Sequence, residues 1–194
     1  MGRPKAWLPF GPERLLQRVV RIVQSVVAPV VVVAGPEQPV PSLPEDIRLL
    51  RDQEEHLGPL AGLSIGLSAL QDEVDAAFVS ACDVPLLVPE FVRLLVDRLD
   101  DHDAVVVCDG RHDHSVVAVY RTRLADRASR LVAAGQLRLR TLLDQCNVRR
   151  VGLDEVKTVD PDLRSLQNIN TMEEYRDALL RAGLGPGSRS SGNG

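Results

Sequence analysis

An aspartate that follows an apolar run is the sharpest candidate for chemistry in this 194-residue sequence. Residues 76–81 are predicted to form a buried strand. Asp83 comes directly after it, and Pro85 stops the chain from turning straight into a helix. A lone carboxylate at a strand end can share Mg²⁺ with substrate phosphates, because Mg²⁺ typically uses only one or two protein carboxylates. The alternative is an ordinary turn or N-cap aspartate.

A lysine near the start and an asparagine near the end are the next candidates. Lys5 lies in a glycine-containing stretch just ahead of a predicted helix, and its compact positive charge suits a phosphate group. The alternative for Lys5 is a simple solvated side chain. Asn170 precedes the last predicted helix, where it can either cap the helix or give an oxygen ligand to a metal ion.

Three glycines with helical spacing form a further pattern. Gly58, Gly62 and Gly66 fall four residues apart, on one face of a predicted helix. Glycine weakens a helix by roughly 1 kcal/mol relative to alanine, so the pattern needs a reason. Close approach of the helix backbone to a strand or to a flat base is one reason, and tight helix–sheet packing is the other.

Strands alternate with helices along the chain, which predicts an α/β protein with helices on both faces of the sheet, a three-layer α/β/α sandwich. A short polar turn before residue 116 suggests one antiparallel strand in a mostly parallel sheet. Ligands bind at the carboxyl ends of the strands in such sheets, which selects Gly35, Asp52, Asp83 and the segment after the last strand. The predicted strands are residues 30–34, 47–50, 76–81, 104–107, 116–120 and 148–153, and the predicted helices are residues 13–27, 58–70, 90–99, 124–134, 139–145 and 171–181.

Composition excludes several classes of protein. The net charge of -4 gives no general attraction to nucleic acid or to an anionic membrane. The longest uncharged apolar run, residues 26–35, is too short to span a bilayer. Three widely spaced cysteines are predicted to be small buried hydrophobes in a reducing compartment, so we expect a cytoplasmic protein. No histidine is partnered by Ser or Cys or has zinc-site spacing, which disfavours a hydrolase.

One folded domain is expected over residues 1–182. The segment from 183 to 194 is rich in Gly and Ser and shows no apolar pattern, so we expect a disordered tail there.

These candidates stand in an order that resembles the nucleotidyltransferases that include the molybdenum cofactor guanylyltransferases. Residues 1–5 resemble the second half of the signature loop of that family, which normally reads Leu-x-Gly-Gly-x-Ser-x-Arg-Met-Gly-x-x-Lys. The resemblance covers residues 1 to about 181. The matching segments are Met1-Gly2-Arg3-Pro4-Lys5, Asp52 followed by Gly58-Pro59-Leu60-Ala61-Gly62, Cys82-Asp83-Val84-Pro85, the turn from Asp109 to His114, and Asn168-Ile169-Asn170-Thr171.

The resemblance implies a Rossmann-like nucleotidyltransferase fold and a role for each matching residue. Lys5 would bind the triphosphate of GTP, and Asp83 would hold Mg²⁺, with Asn170 a weaker candidate for the same ion. The nucleoside side of the pocket would be lined by Asp52, Gly58, Pro59 and Leu60.

The reaction that the resemblance implies is transfer of GMP from GTP to molybdopterin, with release of pyrophosphate. GTP and molybdopterin are then the substrates, and molybdoenzymes or their chaperones are the implied protein partners. A cytidylyltransferase, a nucleotidyltransferase with another acceptor, or a non-catalytic module of the same fold are the alternatives.

The chain departs from the family pattern in three places. Ser115 replaces a common proline, and Gly35 stands where close relatives often carry asparagine. The largest departure is that Met1 lies inside the signature loop, so the preceding strand and the Gly-Gly pair are not in this sequence. In the family that strand lies between those predicted at 30–34 and 76–81. We therefore expect the full polypeptide to begin upstream of Met1.

Overall fold

The computed structural model describes residues 4–52 and 58–185, and in this part of the chain strands alternate with helices as the sequence predicts. Every predicted strand and helix is present, with ends that shift by a few residues. The strands are β1 (Pro9–Phe10), β2 (Glu13–Arg14), β3 (Val31–Ala34), β4 (Arg48–Arg51), β5 (Ala76–Ser80), β6 (Ala104–Cys108), β7 (Val117–Arg121) and β8 (Val148–Gly152); the α-helices are α1 (Leu15–Gln24), α2 (Pro59–Leu70), α3 (Pro89–Asp97), α4 (Ala125–Ala133), α5 (Leu139–Leu143), α6 (Leu153–Val156) and α7 (Met172–Arg181).

The larger sheet has four strands in the order β5-β7-β6-β8. Strand β7 pairs antiparallel with both β5 and β6, whereas β6 and β8 pair in parallel. The strands other than β7 in this sheet therefore share one direction. The prediction of one antiparallel strand after the polar turn is confirmed.

Helices cover both faces of this sheet, because the side chains of each strand alternate between two cores. On one face, Val105 and Val107 of β6 pack with α1 and α3. On the other face, Ala104 and Val106 pack with α2, α4 and α5. The layers are α/β/α, as predicted.

Strands β3 and β4 form a separate two-stranded parallel sheet. In the described residues β3 pairs only with β4, and β5 pairs only with β7. Each of these two strands therefore has one free edge, and the two edges face the same cavities. All five residues of β5 are only partly buried, whereas the first four residues of β6 and of β7 are fully buried. In β3 only Val32 and Ala34 are buried, whereas Val31 and Val33 are partly exposed.

Two short elements, the β1–β2 hairpin and α6, were not predicted. The β1–β2 hairpin turns at Gly11, which has a φ of +66°. This positive φ favours glycine, and it brings Arg14 to the N-cap position of α1. Helix α1 therefore begins at Leu15 rather than at residue 13. The second element, α6, follows β8 without a connecting loop.

None of the described helices has the length and apolar character needed to cross a membrane. The three cysteines are unpaired and half-buried. Most of the expected tail, residues 186–194, lies outside the described residues.

Candidate active site

Three side chains from distant parts of the chain meet at the carboxyl end of β5. The ammonium Nζ of Lys5 donates to Oδ2 of Asp83 at 2.8 Å and to Oδ1 of Asn170 at 2.7 Å. Lys5 lies in a single 3₁₀ turn, Asp83 in the loop after β5, and Asn170 just before α7. The structure thus brings together all three residues that the sequence suggested for triphosphate and metal binding.

Backbone contacts hold the Asp83 loop in place. The backbone N–H of Ile169 donates to the carbonyl oxygen of Asp83, with an N···O distance of 2.9 Å. Val84, the next residue, is fully buried in the core beneath the sheet. The backbone of Asp83 is therefore held by the bond from Ile169 and by the burial of the next residue, Val84.

Arg18 on α1 also contacts the loop that carries Asp83. Its Nε donates to the carbonyl oxygen of Pro85 at 2.6 Å, and its guanidinium carbon lies 4.8 Å from the centre of the Phe10 ring. The half-burial of Arg18 lowers its pKa by desolvation. No sequence motif marks this contact, because Arg18 occurs among other arginines of an amphipathic helix.

Of the two carboxylate oxygens of Asp83, only one has a hydrogen-bond partner among the described residues. Oδ2 accepts from Lys5, but Oδ1 is buried and has no hydrogen-bond partner among the described residues. A buried carboxylate oxygen without a partner is costly, and a bound cation is one way to satisfy it. Burial, and secondarily the nearby Asp83 charge, raises the pKa of the Cys82 thiol, so Cys82 adds no second anion to the site.

The donor set at this site fits a hard divalent cation. Asp83 offers a carboxylate oxygen and Asn170 an amide oxygen, the ligand atoms that Mg²⁺ prefers. Within residues 4–52 and 58–185 no group of three or more His, Cys, Asp or Glu side chains could hold a metal ion. An ion at Asp83 would thus have few protein ligands, as is usual for Mg²⁺ bound together with substrate phosphates.

The N-terminus of α7 is capped by residues other than Asn170. Thr171 is the N-cap and its hydroxyl accepts from the backbone N–H of Glu174 at 3.1 Å. The Glu174 carboxylate accepts from the backbone N–H groups of Asn170 and Thr171 at 2.6 Å and 2.9 Å, which lowers the pKa of Glu174. The Asn170 side chain is therefore not used in capping, and its oxygen accepts from Lys5.

The residues predicted for the nucleoside side lie at the end of β4 and the start of α2. The backbone N–H of Asp52 donates to the carbonyl of Ala34 at 2.8 Å, which places Asp52 where β4 ends. Gly58 is the N-cap of α2 with a φ of +78°, and Pro59 occupies the first turn, where its missing N–H costs least. Both are exposed. Residues 53–57, which join the two segments, are outside the described part of the chain.

The structure corrects the prediction that Leu60 lines the nucleoside side of the pocket. Its side chain has an exposure of 0% and packs in the core with Leu63 and Leu67 of the same helix. The helical period places Leu60 on the sheet-facing side of α2, so its side chain cannot line a nucleoside pocket.

The expected close approach at the other glycines of α2 is not made by the described residues. A Cβ added to Gly62 would meet nothing within 4 Å, and one added to Gly66 would make only an ordinary contact of 3.7 Å with Val33. Both glycines line a cavity between β3 and β5.

The turn from Asp109 to His114 is held by its own hydrogen bonds. The Asp109 carboxylate accepts from the backbone N–H groups of His112 and Arg111 at 2.8 Å and 2.9 Å, and these bonds lower the pKa of Asp109. Ser115 replaces the common proline, and its carbonyl oxygen accepts a hydrogen bond from the Tyr120 hydroxyl at 2.7 Å.

The chain is similar in sequence to a known family of proteins. Residues 1–151 match the family described as MobA-like NTP transferase domain. A probable molybdenum cofactor guanylyltransferase from Mycobacterium tuberculosis H37Rv is 41% identical over 192 residues, which cover 96% of this chain and 88% of the relative. A protein of the same name from Mycobacterium avium is 38% identical over 187 residues, covering 94% of this chain and 89% of the relative.

Solved structures agree on the fold. The molybdopterin-guanine dinucleotide biosynthesis protein A from Archaeoglobus fulgidus superimposes with a TM-score of 0.76 at 20% identity, over 94% of this chain and 92% of the other. The 2-C-methyl-D-erythritol 4-phosphate cytidylyltransferase from Thermus thermophilus gives a TM-score of 0.67 at 16% identity, over 92% and 93% of the two chains. The Rossmann-like fold expected from the resemblance is confirmed. By its match over most of its length and its identity to curated relatives, this chain belongs to the MobA-like NTP transferase family and is a nucleotidyltransferase.

Proposed function

We propose that this chain transfers GMP from GTP to molybdopterin and releases pyrophosphate. The observation that carries the proposal is the cluster of Lys5, Asp83 and Asn170 at the carboxyl edge of the sheet. It combines a cation for a triphosphate with two oxygen donors for a divalent ion. The curated relatives named as guanylyltransferases support the choice of GTP and molybdopterin.

In the proposed reaction an oxygen of the terminal phosphate of molybdopterin attacks the α-phosphorus of GTP. The new P–O bond forms as the bond from the α-phosphorus to the β-phosphate oxygen breaks. Pyrophosphate leaves with that electron pair. Reactions of this type depend on positioning and charge neutralisation more than on a covalent nucleophile.

Lys5 neutralises the triphosphate. Its ammonium already lies at the site, held by Asp83 and Asn170, and about a third of the side chain is exposed. When GTP binds, the phosphate oxygens become further acceptors for the three N–H bonds of the ammonium. Lys5 then opposes the negative charge that develops on the leaving pyrophosphate.

Asp83 and Asn170 are the residues that would hold Mg²⁺. The unpartnered Oδ1 of Asp83 is the oxygen available to the ion. When bound, Mg²⁺ supplies positive charge that orients the phosphates and offsets their repulsion of the incoming phosphate. Asp52, Gly58 and Pro59 line the nucleoside side through their exposed or half-exposed surfaces.

Pyrophosphate release tests the proposal directly. The purified protein is incubated with Mg²⁺ and molybdopterin, together with either GTP or CTP. Faster release with GTP is expected. Faster release with CTP would make the protein a cytidylyltransferase, and activity only with a sugar phosphate or phospholactate would reassign the acceptor.

A non-catalytic module is the second candidate, favoured by the edges of β3 and β5 that pair with no other strand among the described residues. Thermal unfolding separates the two candidates, because a ligand that binds only the folded state raises the melting temperature. A rise with GTP and Mg²⁺ supports the enzyme. No rise, with the same result for CTP, supports the module.

A further inference from the structure

The connection between β3 and β4, residues 35–47, has a part packed on the core and a part that is exposed. All of it lies within the described residues, and it contains no helix. Val40 and Leu43 pack against the buried cluster that includes Val32 of β3. Residues 37–39 are exposed, so core packing does not fix them. An exposed segment without regular structure opens easily unless other contacts hold it.

Arg51, the last residue of β4, closes the first part of this segment. Its Nη1 donates to the carbonyl oxygens of Gly35 and Gln38 at 2.9 Å and 2.5 Å. Gln38 also bonds Gly35 in both directions, because its N–H donates to the Gly35 carbonyl at 3.3 Å and its Oε1 accepts from the Gly35 N–H at 3.1 Å. The backbone polar groups of Gly35 are therefore used within the turn.

Trp7 holds the other end of the segment. Its indole Nε1 donates to the carbonyl oxygen of Pro39 at 3.0 Å. Trp7 lies in the same 3₁₀ turn as Lys5, and this turn is closed by backbone bonds from Trp7 to Pro4 and from Leu8 to Lys5, both at 3.0 Å. The position of the indole is thus linked to the backbone of Lys5.

The two anchors come from the two sides of the proposed GTP site. Arg51 directly precedes Asp52, which is assigned to the nucleoside side, and Trp7 follows Lys5, which is assigned to the triphosphate, by two residues. Residues 35–39 are therefore tied to the nucleoside side by Arg51 and to the triphosphate side by Trp7.

We propose that Arg51 and Trp7 are positioning residues that hold residues 35–39 in the arrangement that binds the nucleoside part of GTP. This role rests on the proposed function of the chain. A loop that is already held in its bound arrangement binds more tightly, because less ordering is needed when the ligand arrives. Arg51 and Trp7 act through the 35–39 segment, whereas Lys5 acts on the phosphates.

Separate affinities for GTP and for inorganic tripolyphosphate test this division. Both are measured by titration calorimetry on the 194-residue chain with Mg²⁺. Arg51→Leu is expected to weaken GTP binding about tenfold and to leave tripolyphosphate binding unchanged. Lys5→Ala is expected to weaken both. Unchanged GTP affinity in Arg51→Leu, or equal losses for the two ligands, would overturn the proposal.

Arg48 provides the matched control, because it lies at the other end of the same strand. Its Nη1 donates to Glu73 at 2.6 Å. Arg48→Leu makes the same change of charge and is expected to keep the GTP affinity of the parent protein. Arg51→Lys should recover part of the affinity that Arg51→Leu loses. Equal losses in Arg48→Leu and Arg51→Leu would reduce the effect to net charge and contradict a positioning role.

Trp7→Phe tests the second anchor. Phenylalanine keeps an aromatic ring but has no N–H for Pro39, and the backbone bonds of the Lys5 turn remain. GTP binding should weaken while tripolyphosphate binding stays the same. Because both anchors act on one segment, the double variant with Arg51→Leu should lose little more than the weaker-binding single variant. A loss equal to the product of the two single losses would contradict a shared segment.

Amide hydrogen exchange tests the positioning role without any nucleotide. The amide of Gln38, which donates to Gly35, is expected to exchange faster in Arg51→Leu and in Trp7→Phe than in the parent protein or in Arg48→Leu. Equal exchange in all four proteins would overturn the proposal. A parent protein that binds neither GTP nor CTP would contradict the proposed function itself, whereas variants that bind GTP as tightly as the parent would contradict only the role of Arg51 and Trp7.

Discussion

The backbone N–H of Ile169 donates to the carbonyl oxygen of Asp83, with an N···O distance of 2.9 Å. This bond joins the loop after β5 to the segment that enters α7. Ile169 is buried, so its backbone is fixed, and Asn170 next to it reaches the same lysine as Asp83. The two oxygen donors of the candidate metal site are therefore positioned by main-chain geometry, which makes their side chains open to substitution.

Asp83→Ala is expected to remove activity and leave the fold intact. The carboxylate gives one of the two oxygens for the divalent ion, so we expect turnover to fall by about 100-fold or more. The only described side-chain contact that is lost is the one with the part-exposed Lys5, so the free energy of unfolding should change by about 1 kcal/mol or less. Pyrophosphate release and urea unfolding measure the two effects.

Asp97→Ala is the matched control for that variant, because Asp97 is exposed on α3. Its activity should equal that of the parent protein. Near-normal turnover in Asp83→Ala would remove Asp83 from the metal site.

Lys5→Ala is expected to weaken GTP binding about tenfold or more, since a hydrogen bond to a charged group contributes about 1.5–3 kcal/mol. Titration calorimetry measures the affinity. Lys157, the other lysine of the chain, is exposed and pairs with Asp154 at 3.6 Å, so Lys157→Ala serves as the control. Unchanged affinity in Lys5→Ala would place this residue outside the triphosphate site.

Arg18→Leu is expected to disturb the Asp83 loop. The substitution leaves the Pro85 carbonyl without its donor and removes the cation from the Phe10 ring, at a cost of about 1.5–3 kcal/mol of stability. If Arg18 positions the Asp83 loop, Arg18→Leu should also raise the Mg²⁺ concentration needed for half-maximal activity.

Arg21→Leu tests whether that second effect is specific. Arg21 is exposed and pairs with Glu13, so its loss should cost about 1 kcal/mol or less and leave the Mg²⁺ dependence unchanged. Arg18→Lys, which keeps a positive charge at this position, should recover part of the activity that Arg18→Leu loses. The same Mg²⁺ dependence in both leucine variants would limit Arg18 to a structural role.

The sequence predicted the elements and their order because side-chain periodicity and proline or glycine boundaries act locally. Residues 104–107 and 116–120 are apolar throughout and form the strands buried on both faces. The site residues Lys5, Asp83 and Asn170 were found because each stands at an element boundary that the chain pattern marks. Their contact distances depend on the tertiary fold, which the pattern does not contain.

The contacts that the sequence did not predict are long-range or use the backbone. Arg18 reaches Pro85 across 67 positions of the chain, and nothing in its local sequence separates it from Arg21. The glycine pattern of α2 predicted a close neighbour, but a Cβ added at Gly62 would meet nothing within 4 Å among the described residues.

Leu60→Ala tests the corrected position of that residue. A fully buried leucine replaced by alanine loses its transfer free energy and leaves a cavity, so unfolding should become easier by about 2–5 kcal/mol. GTP affinity, measured at a temperature where the variant is folded, should not change. Leu49→Ala, at a side chain with 40% exposure, should cost about 0.5 kcal/mol or less. Weaker GTP binding with normal stability would return Leu60 to the nucleoside pocket.

Acidic pH is expected to destabilise the segment that carries Asn170, because protonation of Glu174 weakens its bonds to the backbone N–H groups of Asn170 and Thr171. The backbone N–H groups of Asn170 and Thr171 stabilise the Glu174 carboxylate and hold its pKa below the ordinary value of 4.5. A carboxyl group whose pKa is lower in the folded state stabilises the protein above the unfolded pKa, and this contribution is lost as the pH falls through the folded pKa. The loss therefore falls below pH 4.5.

Glu174→Gln should remove this acid-dependent contribution, so the urea midpoint should vary less with pH below 4.5 than in the parent protein. Glutamine keeps an amide oxygen that can accept from the same backbone N–H groups, so the cap of α7 should be retained. Glu173, the neighbouring carboxylate in the first turn of α7, accepts neither of these backbone bonds. Glu173→Gln should therefore keep the parent pH profile, and identical profiles for the two glutamine variants would show that Glu174 does not hold the Asn170 backbone.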